Sequence, residues 1–256
     1  MSSPSVEDYI KSIYALHADN GSVPTQDLAD RLGVSSPAVS KMLRRLSQLR
    51  LISHTPYHGI KLTRAGEKMA LEVIRHHRLL ELYLVQAMGF TWDSVHEEAE
   101  RLEHHISEDF EERIDQLLGH PTACPHGDPI PTRAGTIEPT SHRSLAQQRS
   151  PARFVVRRVS DEDAELLRHL KSHGITPGTA IELVSQEPFE GPLVLRVGRK
   201  LVRLTPQAAR EVFVDSADHD VESQAGSAGR SAGRSVGRSA GRSAGRSGAE
   251  SARTVE

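Results

Sequence analysis

Cysteine, aromatic residues and long apolar runs are all scarce in this 256-residue chain. The one cysteine, Cys124, excludes an internal disulfide and a cluster of several thiolates. No stretch reaches about eighteen consecutive apolar residues, and the N-terminus has no basic segment followed by an apolar one. These absences predict a cytoplasmic protein without a membrane partner. Cys124 is interpreted as a free, inert thiol, with redox sensing as the alternative.

Charge, in contrast, is abundant and unevenly distributed. Residues 25–64 hold seven Lys and Arg against two Asp and Glu, a net charge of +5. Residues 93–118 hold ten Asp and Glu against two Arg, a net charge of −8. A basic segment suits a polyanion such as nucleic acid, and an acidic segment suits cations. The sequence therefore predicts two kinds of ligand at two different places.

The basic segment has the element order of a winged helix-turn-helix. Apolar spacing predicts a first helix over residues 6–18, and a second that is capped by Thr25 and closed by Gly33. A third helix follows Ser35 or Ser36, with Pro37 in its first turn. Two short strands over residues 51–53 and 60–62 predict the hairpin called the wing.

The third helix begins with small and hydroxyl residues, which allow a close approach to base edges and phosphates, while Lys and Arg add charge contacts. A basic helical surface with no nucleic-acid role is the alternative. The candidate DNA-binding residues are Thr25, Ser35, Ser36, Pro37, Ser40, Lys41, Arg44, Tyr57 and Lys61.

The acidic segment is predicted to be a single helix from about residue 93 to 118, after a long helix over about 63–88. Residues three and four apart share a helix face, and like charges there destabilise by about 0.2–0.5 kcal/mol per pair. A divalent cation would turn this repulsion into attraction, so we interpret the stripe as metal-binding, with a solvated acidic face as the alternative. The stripe consists of His96, Glu100, Glu103 and His104, and the preceding helix adds the pair His77 and Glu81.

Two metalloenzyme motifs fail in this sequence. The stretch HEEAE begins like the zinc-protease motif HExxH, but Glu100 stands where the second His is required. A ferritin-like di-iron site needs paired Glu-x-x-His motifs in a four-helix bundle, which the pattern does not predict. No catalytic residue is predicted, and we expect the chain not to be an enzyme.

Four segments, in this order, resemble the diphtheria-toxin-repressor family of iron- and manganese-dependent transcriptional repressors: EDYIKSIYAL, HHRLLELYL, VHEEAERLEHHISED and PHGDPIP. Short β-type runs follow from Arg153, with a helix at about 161–172, and predict a small β-barrel domain. The resemblance covers about Val6 to Asp215. Beyond it, Ser-Ala-Gly-Arg repeats have little apolar surface to bury and predict disorder.

The expected fold class is mainly α with a small β domain. Residues 1–63 would form the winged helix-turn-helix DNA-binding domain and residues 64–132 a helical metal-binding and dimerisation domain. Residues 133–152 would be a linker, 153–215 an SH3-like β-barrel of FeoA type, and 216–256 a disordered tail.

The resemblance also implies two metal sites. The primary site would use Asp8, Glu100, Glu103 and His104. The ancillary site would use His77, Glu81 and His96, with Asp161 and Glu162 of the C-terminal domain as further candidates.

Iron sensors of this family carry Met and Cys at the positions of Asp8 and Glu100. The oxygen ligands at these two positions make the predicted primary site resemble that of the manganese sensors. Manganese(II) is therefore the predicted cofactor and iron(II) the alternative, because a sulfur-free set of carboxylates and imidazoles suits both ions. Lys11 departs from the manganese sensors, which have a Glu one turn after the Asp, so a binuclear cluster of their type is not implied.

The predicted function is a homodimeric repressor of manganese or iron uptake genes that binds double-stranded operator DNA when metal is present. Metal would join Asp8 on the DNA-binding domain to residues of the dimerisation domain. A metal-independent winged-helix regulator is the alternative.

Overall fold

The N-terminal elements appear in the predicted order of a winged helix-turn-helix. The structure, a computed structural model, describes residues 5–20, 23–55, 59–139, 142–149 and 151–217. Helices α1 (Val6–Asn20), α2 (Thr25–Leu32) and α3 (Ser36–Gln48) precede the antiparallel hairpin of β1 (Ile52–Thr55) and β2 (Gly59–Leu62). Apolar residues of all five elements form one core, which includes Ile10, Leu28 and Leu46.

The turn between α2 and α3 depends on Gly33, whose φ of 62° lies in the left-handed region that favours glycine. Pro37 lies in the first turn of α3, as predicted. The predicted cap at Thr25 is wrong, because Thr25 is itself the first residue of α2 and Pro24 precedes the helix without a side-chain cap.

Helix α4 (Arg64–Met88) is the long helix that the spacing predicts. Thr63 caps it by accepting a hydrogen bond from the Gly66 amide, and Gly89 ends it at a φ of 74°. The side of α4 that faces the acidic segment is unusual because it buries ionisable residues. These are Arg75, His76, His77 and Glu81, none more than 8% exposed.

The prediction of one acidic helix is wrong: the segment forms two helices, α5 (Val95–Leu102) and α6 (Glu108–Leu117). The intervening turn places the Glu103 carbonyl 3.2 Å from Nδ1 of His76, so a side chain on α4 binds this carbonyl. Ser107 then caps α6, its Oγ accepting from the Phe110 amide. Glu103 and His104 therefore lie in a turn rather than on a continuous helical stripe.

The C-terminal domain is a six-stranded antiparallel sheet in the order β3-β8-β4-β5-β6-β7. Within the described ranges the edge strands β3 and β7 do not pair, so the predicted barrel is an open sheet rather than a closed one. The elements are β3 (Arg143–Ser144), β4 (Ala152–Val159), α7 (Ala164–Ser172), β5 (Ala180–Gln186), β6 (Leu193–Val197), β7 (Lys200–Leu204), α8 (Pro206–Arg210) and β8 (Val212–Ser216).

The predicted linker over 133–152 contains part of this domain. Strand β3 pairs with β8, and Leu145, in a short 3₁₀ turn, is fully buried in the C-terminal core. Trp92 from the helical domain belongs to the same core, so the two domains share apolar packing. Strand β3 has only two residues, which are too few to show strand periodicity. The sequence therefore predicted a linker that extends too far toward the C-terminus.

None of the described helices is long and apolar enough to cross a membrane. Tyr57 and all but the first two residues of the predicted tail lie outside the described residues.

Candidate metal centre

The first cluster joins α1 to the turn between α5 and α6. Asp8, Glu103 and His104 each offer a donor atom, and these atoms lie within 4.8 Å of one another. His104 Nε2 is 2.7 Å from Asp8 Oδ1 and 3.5 Å from Glu103 Oε1. Three of the four residues predicted for the primary site therefore converge, and they come from two different domains.

Glu7, which was not among the residues predicted from the sequence, supports His104 from the other side of the ring. Its Oε2 lies 2.5 Å from His104 Nδ1, which leaves Nε2 facing Asp8 and Glu103. A carboxylate that orients a metal-binding imidazole in this way is a recurrent feature of metal sites. Burial lowers the pKa of His104, but the bond to Glu7 and the nearby carboxylates raise it by more.

Glu100, the fourth predicted residue, lies beside Glu103 and His77 instead. These three also offer donor atoms within 4.8 Å of one another. The Lys11 ammonium lies among them, 2.6 Å from Glu100 Oε2 and 2.8 Å from Glu103 Oε2. Burial lowers the pKa of Lys11, but Glu103 and Glu100 outweigh it and the net shift is upward.

The second cluster surrounds the fully buried carboxylate of Glu81. Three imidazoles lie near its Oε1: His77 at 3.3 Å, His126 at 3.4 Å and His96 at 3.5 Å. Asp161 extends the cluster from the C-terminal domain, its Oδ2 lying 3.3 Å from His96 Nδ1. The ancillary residues predicted from the sequence are thus brought together, apart from Glu162.

Cys124, interpreted from the sequence as a free and inert thiol, is free and buried but belongs to this cluster, as does His126, which was not predicted as a ligand. Glu81, Cys124 and His126 are buried and place their donor atoms within 4.8 Å of one another. The loop that carries them lies against β4, where a Cβ on Gly127 would come within 1.9 Å of the Arg157 carbonyl oxygen. Trp92 fixes the His126 ring, because its carbonyl is 2.8 Å from His126 Nε2, which leaves Nδ1 toward Glu81.

Unsatisfied polar atoms indicate that this second cluster suits a metal ion. Both Glu81 carboxylate oxygens and His126 Nδ1 are buried and form no hydrogen bond to any described residue. Such groups are costly without a partner, and a divalent cation would bind all three. Cys124 adds a sulfur donor, which would be deprotonated on binding a metal although burial raises its pKa well above the ordinary value.

The charges of the second cluster are strongly coupled. Burial lowers the pKa of His96, but Asp161 and Glu81 raise it to about 10. Burial raises the pKa of Asp161, but His96 lowers it to about 2. Three imidazoles hold the pKa of Glu81 well below its usual range against the opposing effect of burial. A metal ion that bound through His96 would therefore displace a proton from it.

Glu162, predicted as a further ligand, lies elsewhere. Its Oε1 is 2.8 Å from Arg31 Nη2 on α2, so it forms an exposed ion pair between the C-terminal and N-terminal domains. Its neighbour Asp161 is the one that lies beside His77, Glu81 and His96.

The surface around the start of α3 presents most of the predicted DNA-binding residues. Ser36 is half-buried and donates to Gln26, and Thr25 is half-buried at the start of α2. Exposed residues are Ser35, Pro37, Ser40, Lys41, Arg44 and, on β2, Lys61.

A winged-helix domain whose carboxylate converges with a carboxylate and an imidazole of a helical domain is the arrangement expected of a metal-responsive DNA-binding protein. Three family models match the chain. They are the iron dependent repressor N-terminal DNA binding domain over residues 1–60, the iron dependent repressor metal binding and dimerisation domain over 63–132, and the FeoA domain over 143–216.

The iron-dependent repressor IdeR of Mycobacterium leprae is 32% identical over 221 residues, which cover 82% of this chain and 96% of that protein. The transcriptional regulator MntR of Escherichia coli is 39% identical over 104 residues, covering 41% of this chain and 66% of that protein. A solved manganese-dependent transcriptional repressor in complex with manganese is 36% identical with a TM-score of 0.77, covering 83% of this chain and 100% of that one. The chain belongs to the iron-dependent repressor family, and it is a metal-dependent, DNA-binding transcriptional repressor.

Proposed function

We propose that the chain represses manganese or iron uptake genes in the cytoplasm, and that Mn²⁺ at the first cluster activates operator binding, with Fe²⁺ as the alternative activator. The observation that carries the proposal is the convergence of Asp8, on the DNA-binding domain, with Glu103 and His104, on the metal-binding domain. Carboxylates and imidazole without sulfur suit Mn²⁺ and Fe²⁺. The resemblance to a repressor solved with manganese supports the choice of Mn²⁺.

A bound divalent cation would supply positive charge among carboxylates that otherwise repel one another. Asp8 would then be held against Glu103 and His104, which fixes α1 and the rest of the winged helix relative to α4. Glu7 orients His104 for this contact, and the His76 ring holds the backbone of Glu103. Couplings between two sites of this kind are typically about 1–3 kcal/mol.

We further propose that the second cluster is a separate metal site formed by Glu81, His96, Cys124, His126 and Asp161. The thiol makes this site softer than the first, so it should bind Zn²⁺, Co²⁺ or Fe²⁺ in preference to Mn²⁺. His77 contacts both Glu81 and Glu103, so it connects the two clusters.

The proposed partners are a second copy of the chain and double-stranded operator DNA. The helical domain exposes Phe110 and Leu117, and an apolar hollow lies beside Phe110 between Tyr83 and Ile106. Pairing of two copies through this surface would present two α3 helices to successive major grooves of a near-palindromic site. The proposal assigns no catalytic role to the chain.

The test is operator binding by gel shift, titrated separately with Mn²⁺ and Fe²⁺ under anaerobic conditions. Glu103→Ala and His104→Ala should abolish the response to metal while the protein stays folded. His120→Ala is the matched control, because His120 is exposed, pairs with Asp115 and lies outside both clusters. A full metal response in either test variant, or operator binding that ignores a chelator in the wild type, would instead favour a metal-independent winged-helix regulator.

A further inference from the structure

Lys11 places a positive charge inside the acidic cluster. It follows Asp8 by three residues on α1, so the two side chains lie on one face of the helix. Its ammonium is 2.6 Å from Glu100 Oε2, and 3.0 and 2.8 Å from the two oxygens of Glu103. The fourth contact is His77 Nδ1, at 3.3 Å.

The Lys11 ammonium contacts the same oxygen and nitrogen atoms that a second metal ion would use as ligands. His77, Glu100 and Glu103 could hold an ion by distance alone, and they share Glu103 with the group of Asp8 and His104. An ammonium has three N–H donors and no acceptor, so it can donate to the three carboxylate oxygens of Glu100 and Glu103 that it contacts, in the place of a metal cation. A dication could enter the same space only by expelling the Lys11 ammonium from all of these contacts.

The charges also balance with one ion. Asp8, Glu100 and Glu103 carry three negative charges, and Lys11 with one divalent cation carries three positive charges. A second divalent cation in the place of the Lys11 ammonium would bring four positive charges against these three negative ones, in a site where Glu103 is only 1% exposed. Uncompensated charge in a buried site is strongly unfavourable.

We propose that the Lys11 ammonium is a built-in cation that occupies the His77–Glu100–Glu103 half of the first cluster, so that this cluster binds one divalent ion instead of two. The inference rests on the proposed function, because it assumes that Asp8, Glu103 and His104 bind metal. It makes Lys11 a determinant of how many ions are bound. Glu100 then acts through Lys11 rather than as a direct ligand.

The experiment counts Mn²⁺ bound to the full-length chain by equilibrium dialysis and records the electron paramagnetic resonance spectrum of the bound ions. The variants are Lys11→Gln, which removes the charge, and Lys11→Glu, which also adds a carboxylate. Lys171→Gln is the control, because Lys171 is exposed on α7. At saturating Mn²⁺ each Lys11 variant should bind one more Mn²⁺ than the wild type and the control, and Lys11→Glu should bind the extra ion more tightly than Lys11→Gln because its added carboxylate balances the charge. The extra ion should give a spin-coupled pair signal, because both ions would share Glu103.

Equal Mn²⁺ counts in the wild type and in folded Lys11 variants would overturn the proposal. A spin-coupled pair in the wild type would overturn it too, and this readout does not depend on whether any variant folds. Failure of the proposed function has a different signature: Asp8→Asn would then bind as many Mn²⁺ ions as the wild type.

Discussion

Glu111→Gln should destabilise the protein by removing the centre of a buried ionic network. Glu111 is 4% exposed, and its carboxylate accepts from Arg75 Nε at 2.5 Å and from His76 Nε2 at 3.1 Å. Breaking a buried pair costs about 3–5 kcal/mol. Glutamine keeps one acceptor oxygen, and Arg75 keeps its bond to the Pro131 carbonyl, so we expect a loss of about 2–3 kcal/mol. Urea unfolding measures this difference directly.

The effect of Glu111→Gln should depend on pH in a defined way. Burial raises the pKa of Glu111, but His76 and Arg75 lower it by more, so the pKa in the folded protein is below the ordinary 4.5. The ionised Glu111 therefore stabilises the fold fully above pH 4.5, and this stabilisation is lost as the pH falls through the folded-state pKa. Burial lowers the pKa of His76, but Glu111 raises it above the ordinary 6.5, so that contribution is complete below pH 6.5 and is lost at higher pH. The difference between wild type and variant should therefore be largest between pH 4.5 and 6.5.

The neighbouring residue provides the control. Glu112 pairs with Arg133 at 3.1 Å, but both side chains are about half exposed, at 47% and 58%. Solvent screens the attraction in an exposed pair, so Glu112→Gln should change the free energy of unfolding little. Equal effects of the two substitutions would refute the assignment of Glu111 to a stabilising buried network.

Three further predictions concern the ligand sites. Cys124→Ser should abolish the sulfur-to-cobalt charge-transfer absorption of the Co²⁺-loaded chain and weaken Co²⁺ binding more than Mn²⁺ binding; an unchanged spectrum would show that the thiol is not a ligand. The pKa of His96 is about 10, so metal binding at the second cluster should release a proton at neutral pH, and the affinity for Co²⁺ should rise between pH 6.5 and 8. A Co²⁺ affinity that does not change with pH would contradict the proposed role of His96. Arg44→Ala should reduce the slope of log K against log salt by about 0.9 if Arg44 contacts one phosphate, and an unchanged slope would remove Arg44 from the interface.

The sequence predicted the N-terminal fold well because its signals are local. Gly33, Pro37 and Thr63 act through turn geometry or helix capping within a few residues of themselves, and the apolar spacing of α1, α3 and α4 reports which face each helix buries. Strands β4 to β8 of the C-terminal sheet were found for the same reason, whereas the two-residue β3 was not. Closure of that sheet depends on pairing between distant edges, which strand periodicity does not encode.

The candidate site was predicted less completely, because its geometry depends on tertiary contacts. The break after Leu102 depends on His76 of α4, which binds the Glu103 carbonyl from a position 27 residues earlier. Cys124 and His126 lie in an irregular loop, so no helical spacing relates them to Glu81. Lys11 was recognised as a departure from the manganese sensors, but its position among Glu100, Glu103 and His77 required the packing of α1 against α4 and α5.

The most direct test of the account is the operator dissociation constant of the wild-type chain, measured by fluorescence anisotropy with saturating Mn²⁺ and again after a chelator is added. If Asp8, Glu103 and His104 couple metal binding to the position of the winged helix, the chelator should weaken operator binding by about 5–150-fold, and renewed Mn²⁺ should restore it. The same dissociation constant with Mn²⁺ and with chelator would contradict the account.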